Sequence, residues 1–442
     1  MRRESARFLP SDRRIAFLTA ILLFAAGTPL LATTVVPITD RELLNRSDAV
    51  IHGVVLTTEV VENAAGEPET VSVIQPLTIV KGAVTGNLTV RQAGGTLPDG
   101  RFFKLWGRPE YTPGSEVVVF TIIDRAGNHQ TAEMLLGKFE VWRDETGRKF
   151  ARPDLAIRKN AGVEVTTSSD RSSDPLELDS ESPARDLSKF LAFLSGERAS
   201  DLTPAPAGEL QPVRHNDRKS ETPNWSNIGG LWRYNNNATA GWQTDGVANG
   251  GRGVAESNAA LAIWTNDPLS TINFSMGGSN QIHLDAIESP CGWSTPLPAS
   301  LGVVGCGGPK GGGGHMHRGE SWGTITGGEV WLRRFSSPNQ LSSSLIQAVL
   351  VHELGHSLGF GHSDQDASPH DTCRGDENGA IMRSSVGSSS SLGSDDQDGA
   401  RWLYGDGGNS CGGTTCTAPS ITSQPQSSSI TAGQVANLSA SA

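Results

Sequence analysis

Between Leu341 and Gly361 the chain carries a helix that has to be buried and yet holds ionisable side chains. Leu345, Ile346, Val349, Leu350, Val351 and Leu354 cover most of its sides, which predicts enclosure rather than one wet face. Ser337-Pro338-Asn339-Gln340 ahead of it fits a capping box with Pro at the first helical position. The same helix holds His352, Glu353 and His356, and His362 follows. Two imidazoles and a carboxylate inside an apolar helix are unfavourable unless they are paired or bound to metal. The fold must therefore wrap this segment and still satisfy a polar cluster within it.

His352 and His356 are four residues apart and share one helix face, so both rings can meet one metal. Glu353 is offset from that metal but within reach of a water bound to it. Gly359 and Gly361 permit positive φ, which lets the chain leave the helix abruptly and return His362 as a third ligand. Three neutral imidazoles leave the fourth position of a tetrahedral zinc open, the requirement of a catalytic rather than a structural site.

The spacing from His352 to His362 is similar to that of the metzincin metallopeptidases, and Ser363 after the third histidine resembles the matrixin branch. Gly379-Ala380-Ile381-Met382-Arg383 resembles the family's Met-containing turn, and Leu392 to Gly405 resembles its closing helix. The resemblance covers roughly residues 222–405 and is strongest from His352 onward. It implies an α+β chain with a metzincin-type α/β sandwich: a twisted, mostly parallel sheet, two long helices above it and a zinc cleft below. His352, His356 and His362 would bind the zinc. Glu353 would act as general base and then proton shuttle, and Met382 would floor the site. Substrates of the family lie extended along an edge strand, here placed at Gly313–His317 beside Glu329–Arg333.

Further metals and latency follow less directly from the resemblance. A second zinc would draw on His283, Asp285, His315 and His317. However, His283 falls inside a strand and Trp331 stands near the place of the last histidine, so the spacing argues against it. Calcium is common in the family; Asp364, Asp366, Asp371, Asp376 and Glu377 offer oxygen ligands, with a solvated acidic loop as the alternative. No cysteine precedes Cys291, so thiol-based latency is absent, and residues 33–222 would inhibit by steric cover or another ligand if they inhibit at all.

The rest of the chain divides by composition. Arg2, Arg3, Arg7, Arg13 and Arg14 precede the apolar run Ile15–Ala26, which reads residues 1–32 as a signal peptide cut near Ala32. That run is too short to span comfortably, and no other segment is apolar enough. The expected protein is secreted, periplasmic or cell-surface, monomeric, without a stable membrane span, and acts on protein or peptide substrates. A formal net charge of -11 over 442 residues excludes general nucleic-acid binding, which needs a basic footprint.

Residues 35–150 alternate β-branched runs with turn signals and are predicted to form an all-β barrel or sandwich domain, in which His52 and His129 stand alone. Residues 151–222 form an acidic, Ser/Pro-rich linker with a short helix over Ala184–Leu194. The catalytic domain takes residues 223–406, with a helix near Arg252–Thr265, strands at Ile272–Phe274 and Gln281–Leu284, and a Gly-rich stretch from Gly307 to Gly314. Residues 407–442 are a linker and the start of an immunoglobulin-like module, whose two strands cannot bury a core alone. Of five cysteines, Cys291 with Cys306 and Cys411 with Cys416 bracket loops and can pair locally, which leaves Cys373 over. The chain thus reads as an exported zinc endopeptidase. The alternative is an adhesive or binding protein with a metzincin-like domain of little or no activity.

Overall fold

The computed structural model describes residues 34–36, 38–153, 184–196, 211–212, 232–246, 251–293, 302–317, 319–334, 341–362, 379–383 and 389–405. The signal segment, the immunoglobulin-like stretch, the acidic residues from Asp364 to Glu377, and Cys373, Cys411 and Cys416 lie outside them. The whole is a mixed α/β chain with many strands and few helices. Among the described residues no helix is long and apolar enough to cross a membrane.

The first half contains, in chain order, β1 (Thr34–Val36), α1 (Asp40–Arg46), β2 (Ala49–Glu62), β3 (Pro68–Lys81), β4 (Leu88–Ala93), β5 (Gly95–Thr96), β6 (Phe102–Phe103), β7 (Glu116–Ile123), β8 (His129–Thr131), β9 (Lys138–Arg143), β10 (Lys149–Pro153), β11 (Arg185–Asp186), α2 (Leu187–Leu194) and β12 (Gln211–Pro212). Strands β7, β2, β3, β4 and β8 pair in turn, and β8 pairs back onto β7, which closes a barrel. The largely apolar first half of β2, Ala49–Val55, is buried throughout because both of its faces are covered. Ile51 and Val55 join Ile74, Val90, Val117 and Val119 on one side. Val50 joins Val118, Phe120, Phe139 and Phe190 on the other. α2 therefore belongs to the barrel, not to a linker: Phe190 lies 5.0 Å from Phe139 ring to ring, and buried Arg185 pairs with buried Asp40 at 2.6 Å. His52 does not stand alone; its Nε2 meets Glu116 at 2.7 Å, and Lys149 bonds the same carboxylate. His129 Nδ1 meets the Thr121 hydroxyl at 2.9 Å.

The second half contains β13 (Trp232–Tyr234), β14 (Thr239–Asp245), α3 (Val254–Thr265), β15 (Asn273–Met276), β16 (Asn280–Ala286), β17 (Gly302–His317), β18 (Glu320–Arg333), α4 (Ser343–Ser357) and α5 (Ser394–Tyr404). The sheet order is β15-β14-β16-β18-β17, parallel throughout except for β17, with β13 added parallel to the start of β18. The helices pack over the sheet around Trp242, Trp264, Ile282, Val330, Val349 and Leu350. The N-cap of α4 is Ser342, whose hydroxyl accepts from Leu345 N at 3.2 Å. The predicted cap at Ser337–Gln340 falls outside the described residues.

The Gly-rich stretch from Gly307 to Gly314, given no element from the sequence, forms the middle of β17, a 16-residue strand. Its glycines are needed because neighbours come too close for a Cβ: one at Gly311 would overlap Thr324 O, and one at Gly308 would overlap Lys104 O. The expected edge at Gly313–His317 needs correction: it is only the far end of β17 and lies beside Glu320–Gly323, while Glu329–Leu332 lies beside Gly305–Gly308. Nearer α4, the outer side of β17 is already paired, with β1 along Gly302–Gly305 and with β6 along Lys310–Gly311. Both are N-terminal segments, and the halves share one core in which Phe103, Leu105 and Met134 meet Val303, Cys306 and Trp331. At that junction Glu133 bonds buried Arg333 at 2.7 Å, Val303 N at 3.0 Å and Arg46 at 3.3 Å.

Candidate metal centre

α4 brings His352 and His356 onto one face, and the turn after it returns His362. Gly359 makes that turn with φ +99°, a conformation open to glycine, and a Cβ there would overlap Trp232 O. Gly361 has no positive φ, so one glycine of the expected pair does the turning. Tyr404 of α5 fixes the end of the helix by donating its hydroxyl to Leu358 O at 2.6 Å.

The three rings converge through their Nε2 atoms. His352 Nε2 lies 2.9 Å from that of His356 and 3.2 Å from that of His362. The outer nitrogens decide what this means. His352 Nδ1 lies 2.7 Å from Ile381 O, and His356 Nδ1 lies 2.9 Å from Phe360 O. A carbonyl can only accept, so each Nδ1 carries the proton and each Nε2 presents a lone pair. Burial pushes the His352 pKa down to about 4 and holds those of His356 and His362 well below the usual imidazole range. The rings are therefore neutral near pH 7, and two lone pairs face each other at 2.9 Å. That arrangement is repulsive unless a cation lies between them. Tetrahedral zinc with Zn–N bonds near 2.0–2.1 Å holds its ligand nitrogens about 3.3 Å apart, close to the separations here. The donor set thus fits zinc, and imidazole also suits copper, nickel and iron.

Met382 is buried against α4, where Gly355 leaves room for its Sδ; a Cβ at 355 would overlap that sulfur. Glu353 is fully buried and turns toward β17, where a Cβ on Gly307 would lie 3.2 Å from Glu353 Cβ. The turn holding Met382 is anchored by Asp396, whose carboxylate accepts from Ile381 N at 2.7 Å, Met382 N at 3.0 Å and Gly393 N at 2.7 Å. Burial raises the Asp396 pKa to about 6 against the pull of those three donors. Asp396 was visible in the sequence only as part of the closing helix. Its signal is its place at the third helical position after Gly393.

The other candidates are dispersed. His283 Nδ1 pairs with Asp245 at 2.6 Å, and its ring stacks on Trp331. His315 bonds Thr324 and Arg233. Among the described residues the one group of three such side chains able to share a metal is His352, His356 and His362. Cys291 and Cys306 are joined as a disulfide between the strand β17 and the loop before it.

Trp106, from the first half, has no counterpart in the sequence reading. Its ring stacks on His356 at 5.1 Å with an interplanar angle of 20°. His352, Glu353 and His356 are 0% exposed and His362 is 5% exposed. No protein-family model matches the chain, and no curated protein matches it.

Proposed function

We infer that the chain is an exported zinc-dependent endopeptidase. The observation that carries this is the pair of outward Nδ1–H bonds to Ile381 O and Phe360 O, which leaves His352 and His356 facing each other with lone pairs 2.9 Å apart. Supporting it are Glu353 one residue from the first ligand, Met382 packed under the helix, and a mostly parallel sheet with an antiparallel outer strand. These are features that the metzincin resemblance implies. The Cys291–Cys306 disulfide suits an oxidising compartment and so supports export.

His352, His356 and His362 would hold the metal. When bound, zinc supplies a water of lowered pKa and polarises the scissile carbonyl. Glu353 would serve as the general base beside such a water and then hold the proton for the leaving amine, a role that would suit a carboxylate next to the ligands and not among them. Asp396 and Tyr404 keep the Met382 turn and the His362 turn in place. An extended peptide could be aligned on the outer side of β17 only where β1 and β6 give up their pairing with it.

The complete burial of the histidines favours a second reading, in which the metal is structural and the protein binds or adheres without hydrolysing. Zinc analysis with peptide-library cleavage by wild type and Glu353→Ala separates the two. The peptidase reading expects both proteins to hold stoichiometric zinc and cleavage to fall about 10²–10⁴-fold in Glu353→Ala. Zinc-loaded wild type and Glu353→Ala with equal activity would contradict it.

A further inference from the structure

We propose that the N-terminal barrel is an intramolecular inhibitor, whose Phe102–Trp106 segment occupies the substrate edge of β17 and covers the metal centre with Trp106. This rests on the peptidase reading of that centre. β6 pairs antiparallel with β17, Phe103 opposite Lys310 and Phe102 opposite Gly311. The pairing continues with Lys104 N donating to Pro309 O at 3.1 Å. The backbone groups of β17 that an extended peptide would use are thus filled by the protein's own chain.

The next residues lead to the chemistry. Lys104 O passes so close to Gly308 that no side chain fits there. Trp106 then lies within 3.3 Å of a Cβ built on Gly308 and stacks on the His356 ring. It also meets Trp232 edge-on at 6.3 Å, and Phe102 lies 5.4 Å from the same ring. The buried Glu133–Arg333 pair and the core shared by the two halves keep the barrel seated. An interface of that kind resembles the inside of a domain more than a transient contact. This latency uses a folded barrel and an aromatic cover, with no thiol.

The test uses the full-length chain loaded with cobalt(II), whose visible absorption reports ligands added at the metal, and acetohydroxamate as a small probe. Wild type, Trp106→Ala and Gly308→Ala are compared. Trp106→Ala removes the cover, and Gly308→Ala pushes the segment off β17 from the opposite side, so the test survives misfolding of either variant. Covering lowers apparent affinity by the fraction of open molecules, so both variants are expected to bind hydroxamate about tenfold more tightly or better. Trp106→Ala should also hydrolyse a long peptide faster than wild type. Gly308→Ala should not, because the new methyl obstructs a substrate strand as well. Equal hydroxamate affinity in all three cobalt-loaded proteins would overturn the cover and leave the metal centre standing. Failure of the wild type to take up cobalt would overturn both.

Discussion

A methyl group at position 355 would overlap Met382 Sδ and press on the Trp264 ring, so the glycine between His352 and His356 is set by packing. Alanine has the better helix propensity by about 1 kcal/mol, but overpacking a tight core typically costs about 1–3 kcal/mol. Gly355→Ala is therefore expected to lower the thermal unfolding midpoint; an unchanged or raised midpoint would contradict this packing. The three imidazoles predict a pH dependence of the metal-free protein. Their folded pKa values are depressed, that of His352 to about 4, while an unfolded histidine titrates near 6.5. Between those values the unfolded chain binds more protons, so stability rises with pH across the window and is lost as pH falls. Urea midpoints of metal-free protein should climb from pH 4.5 to 7, and a flat profile would refute the burial argument. The convergence of His352, His356 and His362 was legible because helical spacing is a local property. The acceptors on their outer nitrogens, Ile381 O and Phe360 O, were not, because backbone carbonyls leave no mark in a sequence.

At the scale of elements, α5 supports the candidate metal centre without supplying one of its three histidines. Asp396 gathers three N–H groups from the Met382 turn and its own helix start, and Ile381 in that turn accepts from His352. Asp396→Ala is expected to keep the three ligands but lower zinc affinity about 10–100-fold, the usual effect of losing an outer support. Competition against a chromophoric chelator measures this, and unchanged affinity would show that the turn stands without Asp396. The strands of the barrel and the helix α4 were readable from β-branched runs and apolar patterning. Of β17 only the far end, Gly313–His317, was placed, through the family resemblance, because glycine carries no strand propensity. Its glycines answer to Lys104, Thr324 and Glu353, residues brought near only by the complete fold. The described start of α4 is capped by Ser342, whose hydroxyl accepts from Leu345 N.

For the whole molecule, composition suggested separate units joined by an acidic linker. The described residues instead show a shared core and strands from the first half paired onto the second half's sheet. Local patterns cannot reveal pairing across more than two hundred residues, such as Phe103 with Lys310. The junction turns on Glu133, buried among Arg46, Arg333 and Val303 N. Glu133→Ala strips Arg333 of that carboxylate and is expected to destabilise the whole chain by about 3–5 kcal/mol, as removing one partner of a buried pair does. Chemical denaturation checks this, and a change near zero would mean that the halves are held by apolar contacts alone. Zinc-edge X-ray absorption of the zinc-loaded full-length protein tests the central claim most directly. The account predicts three imidazole nitrogens and one further light-atom ligand at about 2.0–2.1 Å, with one imidazole lost in His362→Ala. Sulfur at about 2.3 Å, or a spectrum unchanged by His362→Ala, would contradict it.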